Sequence, residues 1–209
     1  MTTPSDDELL QLMFAGDEDA FLTLYRRRQG PIYRFALHMS GSPSIAEEVT
    51  QEVFLALLRD GRQYNPMRGS LAAYMYGVAR HHVLRCLEAN QPYVPISQEA
   101  SPEGQESSAR EPAAPGDILA DLTRHERIEA TRRAVLSLPP NYREVVVLCD
   151  LQELSYAEAA AALSCAIGTV RSRLHRARAL VAERVTSLLK DSARSRAASP
   201  PAKAARCFV

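Results

Sequence analysis

Residues 168–178, GTVRSRLHRAR, carry Arg171, Arg173, Arg176 and Arg178 with Ser172 and His175, and no acid. A guanidinium can bond guanine through two parallel N–H donors, and a hydroxyl can reach either base type. At 100° per residue, Val170, Leu174, Ala177 and Val181 share one narrow arc suited to packing, while Arg171, Ser172, His175 and Arg176 hold the opposite arc. Arg173 and Arg178 flank that arc, where phosphates would lie. A merely solvated basic face is the bland reading of such a run. The residues upstream argue against it. Ser155-x-x-Glu158 is a capping box, a helix is expected over 156–163, and 164–168 reads as a tight turn. Two short helices so joined form a helix-turn-helix, whose second helix enters the major groove.

A second segment offers binding rather than catalysis. The spacing predicts a helix from a Ser44-x-x-Glu47 capping box to about residue 58. Ile45, Ala46, Val49, Val53 and Leu57 form its core arc. Glu47, Glu48, Gln51, Phe54, Leu55 and Leu58 lie opposite. An apolar surface so placed needs a cover, either another helix of the same bundle or a docked protein anchored at Gln51, Glu47 and Glu48.

Signals for enzymatic chemistry are weak. His81, His82 and Cys86 are the tempting cluster, but adjacent residues on a helix point about 100° apart, so the two histidines do not readily share a metal. Cys86, Cys149, Cys165 and Cys207 form no C-x-x-C pair and lie at no metal spacing from a histidine, so they read as core or surface thiols; Cys207, in a polar tail, is the candidate reactive one. No nucleophile with a positioned base, Gly-rich phosphate loop or carboxylate–metal motif is evident. The expectation is therefore no catalytic residue, no metal and no cofactor.

The elements that must position these residues are helical. No alternation long enough for a sheet appears, and helices are expected at 6–15, 18–28, 31–39, 71–89, 121–137, 142–151 and 169–189, besides those already placed. On 71–89, Ala72, Tyr76, Ala79, Val83, Leu84 and Leu87 gather on one side, with Tyr74, His81, Arg85 and Glu88 on the other. Residues 91–120 are rich in Pro, Ser, Glu, Ala and Gly and read as a linker. The expected organisation is a first helical domain over 1–90, the linker at 91–120, a second helical domain over 121–190, and a disordered polar tail over 191–209. The net charge is +0, but it is unevenly spread: nine acids face four bases over 1–58, and eleven bases face eight acids over 121–190. Such local fields matter more for nucleic acid than the total does. There is neither an apolar run of membrane-spanning length nor a signal peptide at the N-terminus, so the chain is expected in the cytoplasm.

Four stretches, in order, resemble the extracytoplasmic-function sigma factors, the smallest members of the bacterial sigma-70 family. They are AEEVTQEVFLALLR (46–59), YNPMRGSLAAYMYGVARHHVLRCL (64–87), LPPNYREVVVLCDLQELSYAEAAAAL (138–163) and GTVRSRLHRARALV (168–181). The resemblance implies an all-α fold with two domains, sigma region 2 and sigma region 4. It implies that Glu48, Gln51 and Glu52 help dock the polymerase's largest subunit. Tyr64, Asn65, Met67 and Arg68 would form a loop holding a flipped base of the −10 element, and Arg80, His81 and Arg85 would contact −10 DNA. Residues 168–181 would read the −35 element. Core RNA polymerase, promoter DNA and an anti-sigma factor are the implied partners. The sequence departs from the family where His81, Arg85 and Glu88 stand in place of Asn, Asp and Arg, where Ser164 replaces a common Gly, and in having no Trp.

Promoter elements about 25 bp apart lie roughly 85 Å from each other at 3.4 Å per base pair. An extended 30-residue linker reaches about 100 Å, so the halves can sit on separate elements without touching. A stand-alone helix-turn-helix regulator, with a front half that senses a ligand or dimerises, remains the alternative.

Overall fold

The structure, a computed structural model, describes residues 4–89 and 118–198, with side chains over 124–192 of the second segment. Among the described residues there are eight α-helices and no strand. The front half holds α1 (Asp6–Phe14), α2 (Glu18–Ser40), α3 (Pro43–Asp60) and α4 (Leu71–Ala89). The back half holds α5 (Ile118–Leu136), α6 (Pro140–Val146), α7 (Tyr156–Ala162) and α8 (Ile167–Ala198). The linker up to residue 117 and the end of the tail lie outside the described residues, as does Cys207. Cys86, Cys149 and Cys165 are free thiols, each half-buried.

Local chemistry sets the helix ends. Ser5 and Glu8 close a capping box on α1: the Glu8 N–H donates to Ser5 Oγ at 3.2 Å and the Ser5 N–H to Glu8 Oε2 at 2.7 Å. Residues 18–39, expected as two helices split before Pro31, form one. Pro31 removes a backbone donor, but Ala20, Leu24, Ile32, Phe35, Ala36 and Met39 make one buried stripe that runs past it. Gly41, at φ 74°, ends α2 in the left-handed region that glycine enters without penalty. The start of α3 also differs from expectation. Ser42, not Ser44, is the cap, because Pro43 at the first helical position has no N–H to satisfy and a φ already set for a helix.

In the back half, the helix expected over 142–151 is α6 followed by a π-turn at Val147–Leu151. The wider turn leaves Val147 and Leu148 buried and re-aims the chain toward α7. The capping box at Ser155 and Glu158 is present, and hydrogen bonds from Ser155 hold the Glu158 carboxyl below its usual range. The turn between α7 and α8 is one residue shorter than expected, since α7 ends at Ala162 rather than 163 and α8 opens at Ile167 rather than Thr169. Ser164 takes φ 50° there, a left-handed conformation that a glycine would adopt freely.

The two halves, which the linker is long enough to let stand apart, pack against each other. Phe35, Met39 and Tyr76 of the front and Val147, Leu148, Ala159 and Leu163 of the back belong to one continuous buried cluster. Polar links cross the seam. Ser70 Oγ donates to Glu158 Oε1 at 3.1 Å, Tyr76 pairs with Gln152 at 3.1 Å, and Arg143 donates to the Met39 carbonyl. Arg80 Nε lies 2.9 Å from Oε1 of Glu144, which is 2 % exposed. A buried carboxylate without a partner is costly, so this ion pair fixes α6 against α4.

Candidate nucleic-acid and polymerase interfaces

The best-formed DNA-reading geometry is on α8. Val170, Leu174 and Ala177 are buried against the rest of the back half, with Val181 half-buried below them. That packing turns Arg171, Ser172, His175 and Arg176 outward, and all four are exposed. The Arg171 guanidinium lies 5.8 Å from the centroid of the Tyr156 ring, at the start of α7. Ser172 Oγ donates to the Thr169 carbonyl at 3.1 Å, which leaves its lone pairs for an incoming donor. Arg173 is half-buried. Arg178 is tied down: its Nε and Nη2 donate to the two Asp150 oxygens at 3.0 and 2.6 Å. That pair raises the Arg178 pKa and engages two of its five N–H donors, a partnership that the sequence does not disclose.

The loop at 61–70 forms a second concave site. Gln63, Tyr64, Asn65, Arg68, Gly69, Ser70, Ala73, Tyr74 and Ala161 line a pocket of about 210 Å³. Tyr64 and Tyr74 have ring centroids 5.6 Å apart. The Tyr64 hydroxyl lies 2.9 Å from Asp7 Oδ1 and 3.0 Å from the Gly69 carbonyl oxygen, two acceptors that share its one proton. Burial, then Asp7, pushes its pKa up to about 12. Asn65 caps the turn by accepting from the Met67 N–H at 2.9 Å, and Met67 stands out at 92 % exposure. On α4, His81 and Arg85 are exposed while Arg80 is held by Glu144.

Helix α1 braces this loop, a role that the sequence does not signal. Besides Asp7, its Phe14 ring lies 5.0 Å beneath the Arg62 guanidinium and packs against Gly61. His81 and His82 sit with centroids 5.8 Å apart and planes at 82°. No group of His, Cys, Asp or Glu among the described residues is placed to hold a metal.

On α3, Glu47, Glu48, Gln51, Leu55 and Leu58 are exposed and Glu52 is half-buried. Phe54 departs from its expected place. It is 4 % exposed, its ring 4.7 Å from Tyr25 and 6.4 Å from Phe21. Aromatic packing with α2 makes it a support beneath the face rather than a presented group. Tyr25, Gln29, Gly30, Tyr33, Glu47 and Gln51 border a groove of about 430 Å³ beside it.

Family comparison accounts for this order of surfaces. The Sigma-70 region 2 model matches residues 24–92, and the Sigma-70, region 4 model matches residues 128–181. An "ECF RNA polymerase sigma factor SigE" from Mycolicibacterium smegmatis is 33% identical over 198 residues, 92% of this chain and 74% of that protein. The chain belongs to the extracytoplasmic-function (ECF) sigma factors of the sigma-70 family. SigW of Bacillus subtilis is 27% identical, covering 83% of this chain and 92% of that one. The fold is shared with RpoE of Bartonella quintana, solved with the anti-sigma factor NepR (TM-score 0.56, 23% identity, 81% of this chain and 96% of that chain). It is also shared with CnrH, solved with the cytosolic domain of CnrY (TM-score 0.61, 21% identity, 90% of this chain and 99% of that chain). In this ECF sigma factor, region 2 corresponds to α2 onward through α4, and region 4 contains the α7–α8 helix-turn-helix. Sigma factors are not enzymes. No described helix is long and apolar enough to cross a membrane.

Proposed function

We propose that this ECF sigma factor binds core RNA polymerase, recognises −10 and −35 promoter elements and directs transcription initiation in the cytoplasm, with no catalysis of its own. Polymerase docks on the α3 face through Glu47, Glu48, Gln51 and Glu52, with Leu55 and Leu58 as its exposed apolar part. Tyr64, Asn65, Met67 and Arg68 take the −10 base, with His81, Arg85 and a released Arg80 beside it. Arg171, Ser172, His175 and Arg176 read −35 base edges, and Arg173 with Arg178 faces the backbone.

The observation that carries the reading is α8. Its apolar arc is buried and its basic arc is exposed, in a chain whose family reads promoters. An anti-sigma factor is the expected regulatory partner. Run-off transcription with core polymerase, followed by mapping of start sites, tests the proposal. Transcripts that depend on the added chain and share elements upstream of their starts are expected. A chain that binds duplex DNA but neither binds core polymerase nor starts transcripts would overturn it in favour of a stand-alone regulator.

A further inference from the structure

Tyr156 is a large aromatic residue left 39 % exposed at the start of α7, and neither the core nor the base-reading arc accounts for it. Its backbone is fixed. It follows the Ser155 cap directly, where the Glu158 N–H donates to Ser155 Oγ at 3.2 Å and the Ser155 N–H donates to Glu158 Oε2 at 3.0 Å. From there the side chain reaches across to α8. Arg171 and Arg178 are seven residues apart, so they stand within about 20° of each other around that helix, on one flank. The Tyr156 ring lies against this flank. Its centroid is 5.8 Å from the Arg171 guanidinium, within cation–π range. Arg178 meets the hydroxyl end. Asp150 holds it first, through Nε and Nη2, and the Tyr156 hydroxyl is a lesser partner that also favours its charged form. A cation already clasped by a carboxylate does not compete for the ring face, so that face is left to Arg171. Among the described side chains of α8, Arg171 is the arginine with a ring beneath it.

We propose that Tyr156 is a positioning residue for −35 recognition: its ring face holds the Arg171 guanidinium in the pose that meets a base edge. The inference rests on the base-reading role given to Arg171 under Proposed function and adds the residue through which that role is set. The chemistry is one of ordering. An arginine on an exposed helix turn samples many rotamers, and a bidentate contact with guanine accepts few of them. Immobilising such a side chain on binding weakens affinity roughly 2- to 12-fold. A guanidinium that already lies on a ring has less freedom to lose. The ring face also holds the cation without engaging its N–H fork as a carboxylate does, so the donors that a base needs stay available. The effect falls on the matched element alone, because a wrong base edge gives Arg171 no bonded geometry to be ordered in. Tyr156 thereby raises discrimination rather than general affinity for DNA, and its contribution is bounded by that of Arg171. A passive surface contact would instead shift the melt and leave promoter choice unchanged.

The test is a double-mutant cycle read on promoter choice. Two ringless replacements, Tyr156→Leu and Tyr156→Gln, and the ring-keeping Tyr156→Phe are each made in the full-length parental chain and in Arg171→Ala. Leu and Gln both suit a helix. Each chain is assembled with core polymerase, and run-off transcription measures its preference for a template with the mapped −35 element over one with that element altered. Thermal melts of the free chains run alongside. Both ringless variants should lose roughly 2- to 12-fold of the preference, and no more than Arg171→Ala loses. Tyr156→Phe should keep it, since the ring remains. In Arg171→Ala the ringless replacements should have no further effect. A parental preference in both ringless variants overturns the proposal. So does an equal loss with and without Arg171, which makes Tyr156 a DNA contact or a prop of the turn in its own right. A loss in Tyr156→Phe as large as in Tyr156→Leu moves the effect to the hydroxyl and overturns the ring's part. Ringless variants that no longer melt cooperatively assign the ring to the fold, with the same consequence. Should Arg171→Ala itself keep the parental preference, the base-reading role of Arg171 fails first. That outcome strikes the assignment under Proposed function, whereas each of the others strikes Tyr156 alone.

Discussion

Replacing Arg171 and Arg178 by alanine, one at a time, separates base reading from local fastening on the same helix. Both arginines are exposed and lie two turns apart on α8, so helix propensity and net charge change alike. Their tethers differ. Arg171 has only the Tyr156 ring beneath it, at 5.8 Å, and an exposed cation–π contact contributes about 0.5–1 kcal/mol. For a chain of this size that is a fall in Tm of roughly 2–4 °C at most. If its donors bond a base edge, the loss in −35 recognition is about 1–3 kcal/mol, or roughly 5- to 150-fold at about 1.4 kcal/mol per decade. Arg178 is the reverse case. Its two bonds to Asp150 are short and parallel, yet more than half of its side chain is exposed, so screening holds their contribution to about 0.2–1 kcal/mol. In the proposed role it meets the DNA backbone and not a base, so its loss should lower the salt dependence of DNA binding by no more than about one unit of slope. The assay is run-off transcription in which a template with the mapped −35 element competes against one with that element altered, beside thermal melts of each variant. Arg171→Ala should erase most of the preference with a near-parental melt. Arg178→Ala should keep the preference. If Arg178→Ala relaxes −35 choice while Arg171→Ala does not, base reading has been assigned to the wrong turn of α8.

Four further outcomes are expected. Ser164→Gly should stabilise the chain by about 0.5–1 kcal/mol in denaturant melts, because relief of a left-handed L-residue, about 1–2 kcal/mol, exceeds the roughly 0.5–1 kcal/mol of backbone entropy that glycine adds; an unchanged or lower midpoint would show that the turn is not strained. Asp7→Ala should reduce use of the −10 element while leaving core affinity unchanged, and Asp7→Asn, which keeps an acceptor for the Tyr64 hydroxyl, should restore it in the same transcription assay. His38 has its pKa lowered by burial first and by Arg132 and Arg34 after it, so the unfolded chain takes up the proton first as pH falls below the ordinary value of 6.5. Its contribution is present above that pH and lost below it, and His38→Gln should therefore flatten the fall in melting temperature between about pH 7 and pH 5. Burial, then Asp150, pushes the Cys149 thiol up to about 11, so alkylation of the folded chain near pH 8, followed by peptide mass spectrometry, should find Cys149 far less modified than the same thiol in denaturant.

What the sequence discloses follows from how local each feature is. The buried arc of α8 is set by a 3.6-residue period acting on neighbours in the chain, and Val170, Leu174 and Ala177 fall inside as that period demands. The Ser155 capping box is equally local. Where two local rules compete, the winner is less evident: Ser42 and Ser44 can both cap α3, and Pro43 decides between them. Pro31 signals a break, but the apolar stripe that carries α2 through it is only recognisable as a stripe once its partners are in place. The fate of Phe54 depends on Phe21 and Tyr25, which lie on another helix. The Asp150 clasp on Arg178, the Asp7 acceptor for Tyr64 and the Glu144 partner of Arg80 are long-range pairs with no spacing rule to reveal them. So the sequence reveals which helix faces could bind, and the fold decides which of their side chains are free to do so.

The continuous cluster joining Phe35, Met39 and Tyr76 to Val147, Leu148 and Ala159 also bears on how this chain melts and how it tolerates change. Two modules that merely share a tether unfold independently, whereas two that share apolar surface lose that burial together. The free chain should therefore give one calorimetric transition, and once the halves are parted, two. Substitutions on opposite sides of the seam will then be non-additive, since a larger side chain at 77 changes what is acceptable at 162. Each half of the protein is, in this respect, part of the folding environment of the other.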